Sequence, residues 1–115
     1  MPRLHSSKTK GSLTDSASVF AALGDETRLR LVARLCDAGP MSISGLTDGF
    51  AVTRQAITKH LRVMERAGLV RSAQRGRECV WRLEQKRLAE ARRHLTTISK
   101  QWDQMLGRLK DFVER

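Results

Sequence analysis

The spacing of apolar residues in this 115-residue chain changes from a helical period to strand alternation near residue 69, and returns to a helical period near residue 84. Residues three or four apart share one face of a helix, whereas alternate residues share one face of a strand. The alternation occurs twice, in residues 69–74 and 79–83, on either side of the turn-forming segment 75–78. The pattern therefore predicts a β-hairpin placed between helices.

Four helical segments are predicted before the hairpin. They cover about residues 15–24, 25–38, 42–49 and 53–68. Asp25, Ser42 and Thr53 are suited to cap helix N-termini, and Gly24 and Gly68 are suited to end helices. With one long helix after the hairpin, the expected order is α-α-α-α-β-β-α. This mainly helical order predicts a winged helix-turn-helix, in which the third and fourth helices form the helix-turn-helix and the hairpin forms the wing.

Positive charge is concentrated in the fourth helix and the hairpin. The chain has 22 Lys and Arg against 12 Asp and Glu, a formal net charge of +10. Residues 53–82 alone hold eight basic and two acidic side chains, so they supply +6 of that charge. The hydrophobic fraction of 40% is ordinary for a folded domain, which places this charge on a folded surface rather than on a disordered tail. The pattern favours an anionic partner such as nucleic acid.

The fourth helix separates an apolar stripe from a polar arc. Ile57, Leu61 and Met64 keep the spacing of the stripe. On the arc, the predicted contacts to base edges are Arg54, Gln55, Thr58 and Lys59. Contacts to the DNA backbone or the minor groove are predicted for Thr53, Arg62, Arg71, Arg75 and Arg77. A charged surface that is merely solvated is the alternative for this face.

The last helical segment carries a heptad stripe, with apolar residues spaced 3, 4, 3, 4 and 3 apart. Its members are Leu95, Ile98, Trp102, Met105, Leu109 and Phe112. A small chain has little core left to cover so long a stripe, so we predict that a second copy covers it, with Val19 and Phe20 of the first helix at the same interface. Packing against the first helix of the same chain is the alternative. The predicted organisation is a flexible basic arm (1–14), a DNA-binding domain (15–94) and a dimerisation helix (95–115).

Several other classes of protein are not favoured by the residues. The longest unbroken apolar run, residues 19–23, is far shorter than the ~20 residues that cross a bilayer. Without an apolar signal segment, a cytoplasmic location is expected. The sequence shows no paired carboxylates, no nucleophile beside a base and no glycine-rich phosphate loop, so an enzyme is not expected. Neither cofactor nor metal is expected, because the cysteines and histidines lack ligand spacing.

Three residues and the N-terminal arm leave alternatives open. Cys36 is predicted on the apolar side of the second helix and Cys79 in line with Trp81 and Leu83. Both thiols are therefore expected to be buried and of low reactivity, although thiol redox sensing stays an alternative function. His60 is expected to pack its helix or contact phosphate rather than bind a metal ion. The arm is expected to be solvated, with contact to the minor groove as the alternative.

Three separated motifs resemble the ArsR/SmtB family of bacterial winged-helix repressors. They are ALGDETRLRL at residues 22–31, VTRQAITKHLRVMERAGLV at residues 52–70 and RGRE at residues 75–78. The resemblance covers about residues 16–115, and it places the family's DNA-reading helix on residues 53–67 and its wing on residues 71–82. It implies a homodimer that binds a pseudo-palindromic operator and represses a bacterial operon, often its own. A dimeric protein-interaction module without specific DNA binding is the alternative.

The sequence departs from the family pattern at two points. Glu26 stands where the family often has Pro, and a carboxylate is acceptable there because the first turn of a helix faces the positive end of its dipole. The family's metal sensors carry thiolates on the third helix or acidic and histidine ligands on the last one. Residues 42–50 contain no Cys, and no His follows His94. The resemblance therefore implies a member without the usual metal site.

Overall fold

Five α-helices and a small antiparallel sheet make up residues 12–114, the part of the chain that the computed structural model describes. The elements are α1 (Leu13–Leu23), α2 (Glu26–Ala38), β1 (Met41–Ser42), α3 (Ile43–Thr47), α4 (Arg54–Arg66), β2 (Val70–Arg75), β3 (Glu78–Leu83) and α5 (Gln85–Val113). This confirms the predicted mainly helical fold with a hairpin before the last helix. It also adds one strand, β1, to the expected order.

The predicted N-terminal caps are present at α2, α3 and α4. The side chains of Asp25, Ser42 and Thr53 accept hydrogen bonds from backbone N–H groups three residues later, at 3.0, 3.3 and 3.1 Å. The start of α1 was predicted too late, because Ser12 and Asp15 form a capping box that begins the helix at Leu13. The last residues of the predicted arm are thus part of α1 and its cap, and residues 1–11 lie outside the described part of the chain.

β1 has two residues and pairs with β3, so the sheet order is β1-β3-β2. Met41 lies opposite Trp81, across a long sequence separation, which is why local periodicity did not reveal this strand. β2 and β3 pair along their whole length, from Val70 opposite Leu83 to Arg75 opposite Glu78. At the hairpin turn, Gly76 has a φ of +60° whereas Arg77 does not have a positive φ. A positive φ at only the first of two turn residues is typical of a type II′ turn.

The core lies between the first four helices, the start of α5 and the inner face of the sheet. Ile57, Leu61 and Met64 of α4 are fully buried there, so the predicted apolar stripe of this helix is confirmed. Other members of the core are Val19, Ala22, Leu31, Val32, Leu35, Leu46, Leu69, Val70, Trp81 and Ala91. The packing of α4 on the core along one side sets the direction in which its opposite side faces.

The expected burial was wrong for Cys36 and only partly right for Cys79, which packs against the edge of the core. Cys36 is exposed and Cys79 is only half-buried. The core-facing side of α2 is centred on Leu31, Val32 and Leu35, and Cys36 lies roughly 100° around the helix from Leu35. Since α2 borders the core on one side only, the thiol of Cys36 faces outward. Its exposure removes the reason for expecting low reactivity.

α5 is one continuous helix of 29 residues, so the predicted boundary between residues 94 and 95 falls inside it. Near its start it packs on α1, where Ser16 Oγ hydrogen-bonds His94 Nδ1 and Arg87 pairs with Asp15 at 2.8 Å. The hydrogen bond from Arg87 holds the pKa of the Asp15 carboxyl below its usual value. Val19 is fully buried inside the single chain. Contrary to the prediction, its side chain is therefore not available to contact a second copy. No described helix is long and apolar enough to cross a membrane.

Candidate nucleic-acid interface

The outward side of α4 presents polar side chains to solvent. Arg54, Gln55, Lys59 and Arg62 are exposed, and Thr58 is half-buried. The Thr58 hydroxyl donates to the carbonyl of Arg54 at 3.0 Å, which leaves its oxygen free to accept. The structure therefore places the four predicted base-reading side chains on one accessible helix face, backed by the core.

Two of the predicted backbone-contacting residues lie at the two ends of this face. Thr53 is exposed at the N-cap, where its hydroxyl accepts from Ala56 N–H. Arg62 lies near the last turn, 3.3 Å from a carboxylate oxygen of Glu65, with its guanidinium 5.8 Å from the centre of the Trp81 ring. The N-cap also presents the positive end of the α4 dipole, which favours a phosphate nearby.

The wing carries the remaining predicted contacts. Arg75 ends β2 and Arg77 lies in the turn, and both are exposed. The Gln74 side-chain amide donates to the carbonyl of Gly76 at 3.2 Å, which braces the turn. Among the described residues, neither arginine forms an ion pair. The tip therefore carries two exposed arginines that form no ion pair in this part of the chain, with Glu78 opposite Arg75.

Arg71, at the base of the wing, is in a different situation. It lies directly opposite Arg82 in the hairpin, and both guanidinium groups pair with Glu84, at 3.1 and 3.4 Å. Arg82 was not among the predicted contacts. Cross-strand register could have shown it, because pairing residues 75 and 78 around a two-residue turn places residue 82 opposite residue 71.

His60 connects the middle of α4 to the start of α2. Its Nδ1 is 3.2 Å from Arg28 Nη1 and 3.9 Å from a carboxylate oxygen of Asp25. Arg28 also donates through Nε to the carbonyl of Ala22 at 2.6 Å. The backbone N–H of Arg28 is the main group that holds the pKa of the Asp25 carboxyl low. His60 thus packs α4 against the α1–α2 connection, one of the two roles expected for it.

Arg34 of α2 clamps the end of α3, a role that the sequence did not reveal. Its Nη1 donates to the carbonyls of Leu46, at 3.1 Å, and of Asp48. These carbonyls lie at the negative end of the α3 dipole, where a cation is stabilising. The same guanidinium lies 4.8 Å from the ring centre of Phe50. The clamp connects α2 to the turn of the helix-turn-helix and so helps to orient α4.

Replacing Arg34 with Ala is expected to lower the free energy of unfolding by about 1–2 kcal/mol, because charged hydrogen bonds to helix-terminal carbonyls are lost. Urea unfolding followed by circular dichroism measures it. Arg30→Ala is the matched control: Arg30 also lies over Phe50, at 4.6 Å, but makes no hydrogen bond to α3 in the described part of the chain. Equal losses for the two variants would show that stacking on Phe50, rather than the carbonyl clamp, stabilises the turn.

The predicted dimerisation stripe is exposed along the second half of α5. The side chains of this stripe are between 42% and 71% exposed. Its members are Leu95, Ile98, Trp102, Met105, Leu109 and Phe112. Phe20 of α1 is half-buried against the core. Within the described residues of a single chain, the stripe is therefore a long apolar surface left open to solvent.

Comparison with known proteins connects this geometry to one family. A model of a helix-turn-helix domain matches residues 23–73. The HTH-type transcriptional regulator Rv2034 of Mycobacterium tuberculosis is 34% identical over 87 residues, which are 76% of this chain and 78% of that protein. The structure of an ArsR-like transcriptional regulator from Rhodococcus sp. RHA1 is 40% identical and matches 89% of this chain and 95% of that chain, with a TM-score of 0.74.

A more distant structure shares the fold. It is a homodimeric winged helix-turn-helix DNA-binding domain from Mycobacterium bovis, 19% identical over 84% of this chain and 85% of that chain, with a TM-score of 0.60. Within residues 12–114, no group of three or more His, Cys, Asp or Glu side chains could hold a metal ion. Fold and family are those of regulators rather than enzymes. The exposed polar face of α4, the cationic wing and these matches together show that the chain belongs to the ArsR family of DNA-binding transcriptional regulators.

Proposed function

We propose that this chain is a homodimeric repressor that reads a pseudo-palindromic operator with α4 in the major groove and the wing on phosphates or the minor groove. The observation that carries the proposal is the two-sided character of α4. One side carries Ile57, Leu61 and Met64, which are fully buried. The other side carries polar and cationic side chains, of which Arg54, Gln55, Lys59 and Arg62 are exposed. A helix held in this way can enter a groove without rearranging.

The residues of the polar face suit the chemistry of base edges. A guanidinium such as that of Arg54 can donate two hydrogen bonds to guanine, and a side-chain amide such as that of Gln55 matches adenine. Lys59 and Thr58 lie one turn further along the same face. The wing tip, with Arg75 and Arg77, supplies contacts that do not depend on sequence. We infer that α4 provides specificity and that the wing provides much of the affinity.

The stripe on α5 supports a dimer. Its exposed apolar side chains follow a heptad spacing, which is the pattern by which two helices pack together. The structurally similar domain from Mycobacterium bovis is homodimeric. A two-fold dimer would place its two recognition helices about 34 Å apart, one turn of DNA, so the operator half-sites should have that spacing. Repression is the direction of regulation that the family resemblance implies.

Selection of bound duplexes from a random pool, with the purified full-length protein, tests this function. We expect enrichment of a two-fold symmetric site whose half-sites are about 10 base pairs apart. Affinity for that site should fall steeply as salt rises, because phosphate contacts release counterions. Failure to bind any duplex at low salt would contradict DNA binding and favour a protein-interaction module instead.

Gln55→Ala is expected to weaken binding to the selected operator by about 1–3 kcal/mol, because a side-chain amide at this position reads a base edge. Binding to a scrambled duplex of the same length should be almost unchanged. Titrations of both duplexes with fluorescence anisotropy measure the two losses. Gln104→Ala, at an exposed position of α5, is the matched control and should alter neither. Equal weakening on both duplexes by Gln55→Ala would refute the base-reading role.

A further inference from the structure

Glu84 holds two arginines of the wing with one carboxylate. Its Oε1 is 3.1 Å from Arg71 Nε and 3.4 Å from Arg82 Nη1. The arginine side chains are 62% and 50% exposed, whereas that of Glu84 is only 24% exposed. The carboxylate therefore lies beneath two outward cations, at the base of the hairpin.

The side chain of Glu84 contacts these two arginines instead of capping the helix that begins after it. Glu84 is the N-cap residue of α5, yet its side chain makes no capping hydrogen bond. Ser, Thr, Asp or Asn would cap that helix better. Its backbone N–H donates to the carbonyl of Leu69 at 2.7 Å, which holds the residue beside the first residues of β2. The side chain is thereby directed to Arg71 and Arg82 rather than to the helix end.

The two arginines share a face of the hairpin with the wing tip. Arg71 and Arg75 are four residues apart in one strand, so their side chains point to the same side of the sheet. At a rise of about 3.3 Å per residue, they are roughly 13 Å apart along the strand. Arg82 lies opposite Arg71 on that face. Cations thus lie at the tip and at the base of this face, and Glu78 lies opposite Arg75 at the tip. Of these wing arginines, only those at the base form ion pairs with a carboxylate of the described residues.

We propose that Glu84 competes with the DNA backbone for Arg71 and Arg82. Its carboxylate pairs with both arginines until a DNA phosphate displaces it. This inference rests on the proposed function, because it assumes that the wing contacts a duplex. A phosphate offers these guanidinium groups the same type of acceptor oxygen as the carboxylate does. Each contact to phosphate through Arg71 or Arg82 must replace an existing ion pair. Glu84 therefore lowers the affinity of the wing for any duplex, whatever its sequence.

Glu84→Gln tests this competition, because the amide has nearly the same shape without the charge. We expect binding to a scrambled duplex to become about threefold tighter or more at low salt, since two cations per chain are released. The plot of log affinity against log salt concentration should become steeper by about one unit or more. Weaker binding, or an unchanged salt slope, would overturn the proposal and indicate that Glu84 holds the arginines in position for DNA.

A cycle of variants separates competition from a change in net charge. In a chain with Arg71→Ala and Arg82→Ala, Glu84→Gln is expected to have almost no effect on binding. Glu78→Gln is the control, since it removes one carboxylate from the same hairpin, and its effect should be the same with and without the two arginines. If Glu84→Gln tightens binding equally in both backgrounds, the effect is one of general charge and the proposal fails.

Glu84→Ser is a second variant that tests the proposal even if Glu84→Gln does not fold. Serine removes the charge and is a preferred N-cap residue, so this variant should fold at least as stably and show the same tighter binding. Thermal unfolding confirms that the compared proteins are folded. Absence of binding by the unsubstituted protein would contradict the proposed function itself. Binding by that protein without tightening in either Glu84 variant would contradict only the role of Glu84.

Discussion

Leu109→Glu is expected to convert the protein to monomers and to weaken operator binding by roughly 100-fold or more, because two linked half-site contacts become independent. Leu109 is 56% exposed in the single chain and lies between Met105 and Phe112 in the apolar stripe of α5. A carboxylate placed in a heptad seam must either be buried without a partner or keep the helices apart. Sedimentation equilibrium reports the mass, and titration of the operator reports the affinity.

The control for this variant is Gln104→Glu, which adds the same charge on the polar side of the same helix. It should remain dimeric and bind with nearly unchanged affinity. Because Leu109 is exposed in the single chain, its replacement should leave the helical circular dichroism signal intact. A folded Leu109→Glu protein that still sediments as a dimer would show that two copies associate through another surface. A monomer with full operator affinity would remove the need for a dimer in recognition.

The second large effect is expected from the wing tip. Replacing Arg75 and Arg77 together with Ala should weaken binding to every duplex by on the order of 100-fold at physiological salt, since a dimer loses up to four phosphate contacts. The slope of log affinity against log salt should become shallower by about two to four units. The ratio of operator to scrambled affinity should change little, because these contacts carry no sequence information. Anisotropy titrations at several salt concentrations measure all three quantities.

Arg92→Ala with Arg93→Ala is the matched control for the wing variant. These two arginines are exposed on α5, so the substitution removes the same charge away from the proposed interface. It should leave the salt slope nearly unchanged. A loss confined to the selected operator would instead assign base reading to the wing tip. An unchanged salt slope after removal of Arg75 and Arg77 would show that the wing does not contact phosphates.

The elements that could be predicted are those whose signals are local. Asp25, Ser42 and Thr53 cap helices because each side chain reaches a backbone N–H only three residues away. Gly76 permits the hairpin turn through its own positive φ. The buried stripe of α4 follows from the helical period alone. The exposed face of α4 follows from the same period, so the candidate contacts on it could be named from the sequence.

The features that were missed depend on pairs of residues far apart in sequence. β1 exists because Met41 meets Trp81. The clamp of Arg34 on the carbonyls of Leu46 and Asp48 requires α2 and α3 to be packed first. Cys36 is exposed because no element within residues 12–114 covers that side of α2. Composition and periodicity contain no information on such contacts, since they describe one element at a time.

By itself, the sequence determined the order of the helices and of the two hairpin strands, the polar face of α4, the cationic turn of the wing and the apolar stripe of α5. These follow from short-range geometry, which repeats every two or 3.6 residues. Only the tertiary structure decided which of these cations form ion pairs. Arg75 and Arg77 have no ion pair among the described residues, whereas Arg71 and Arg82 share Glu84. The physical reason is that a charge is neutralised by whatever lies within a few ångströms of it, and that distance is set by the packing of the hairpin against the start of α5.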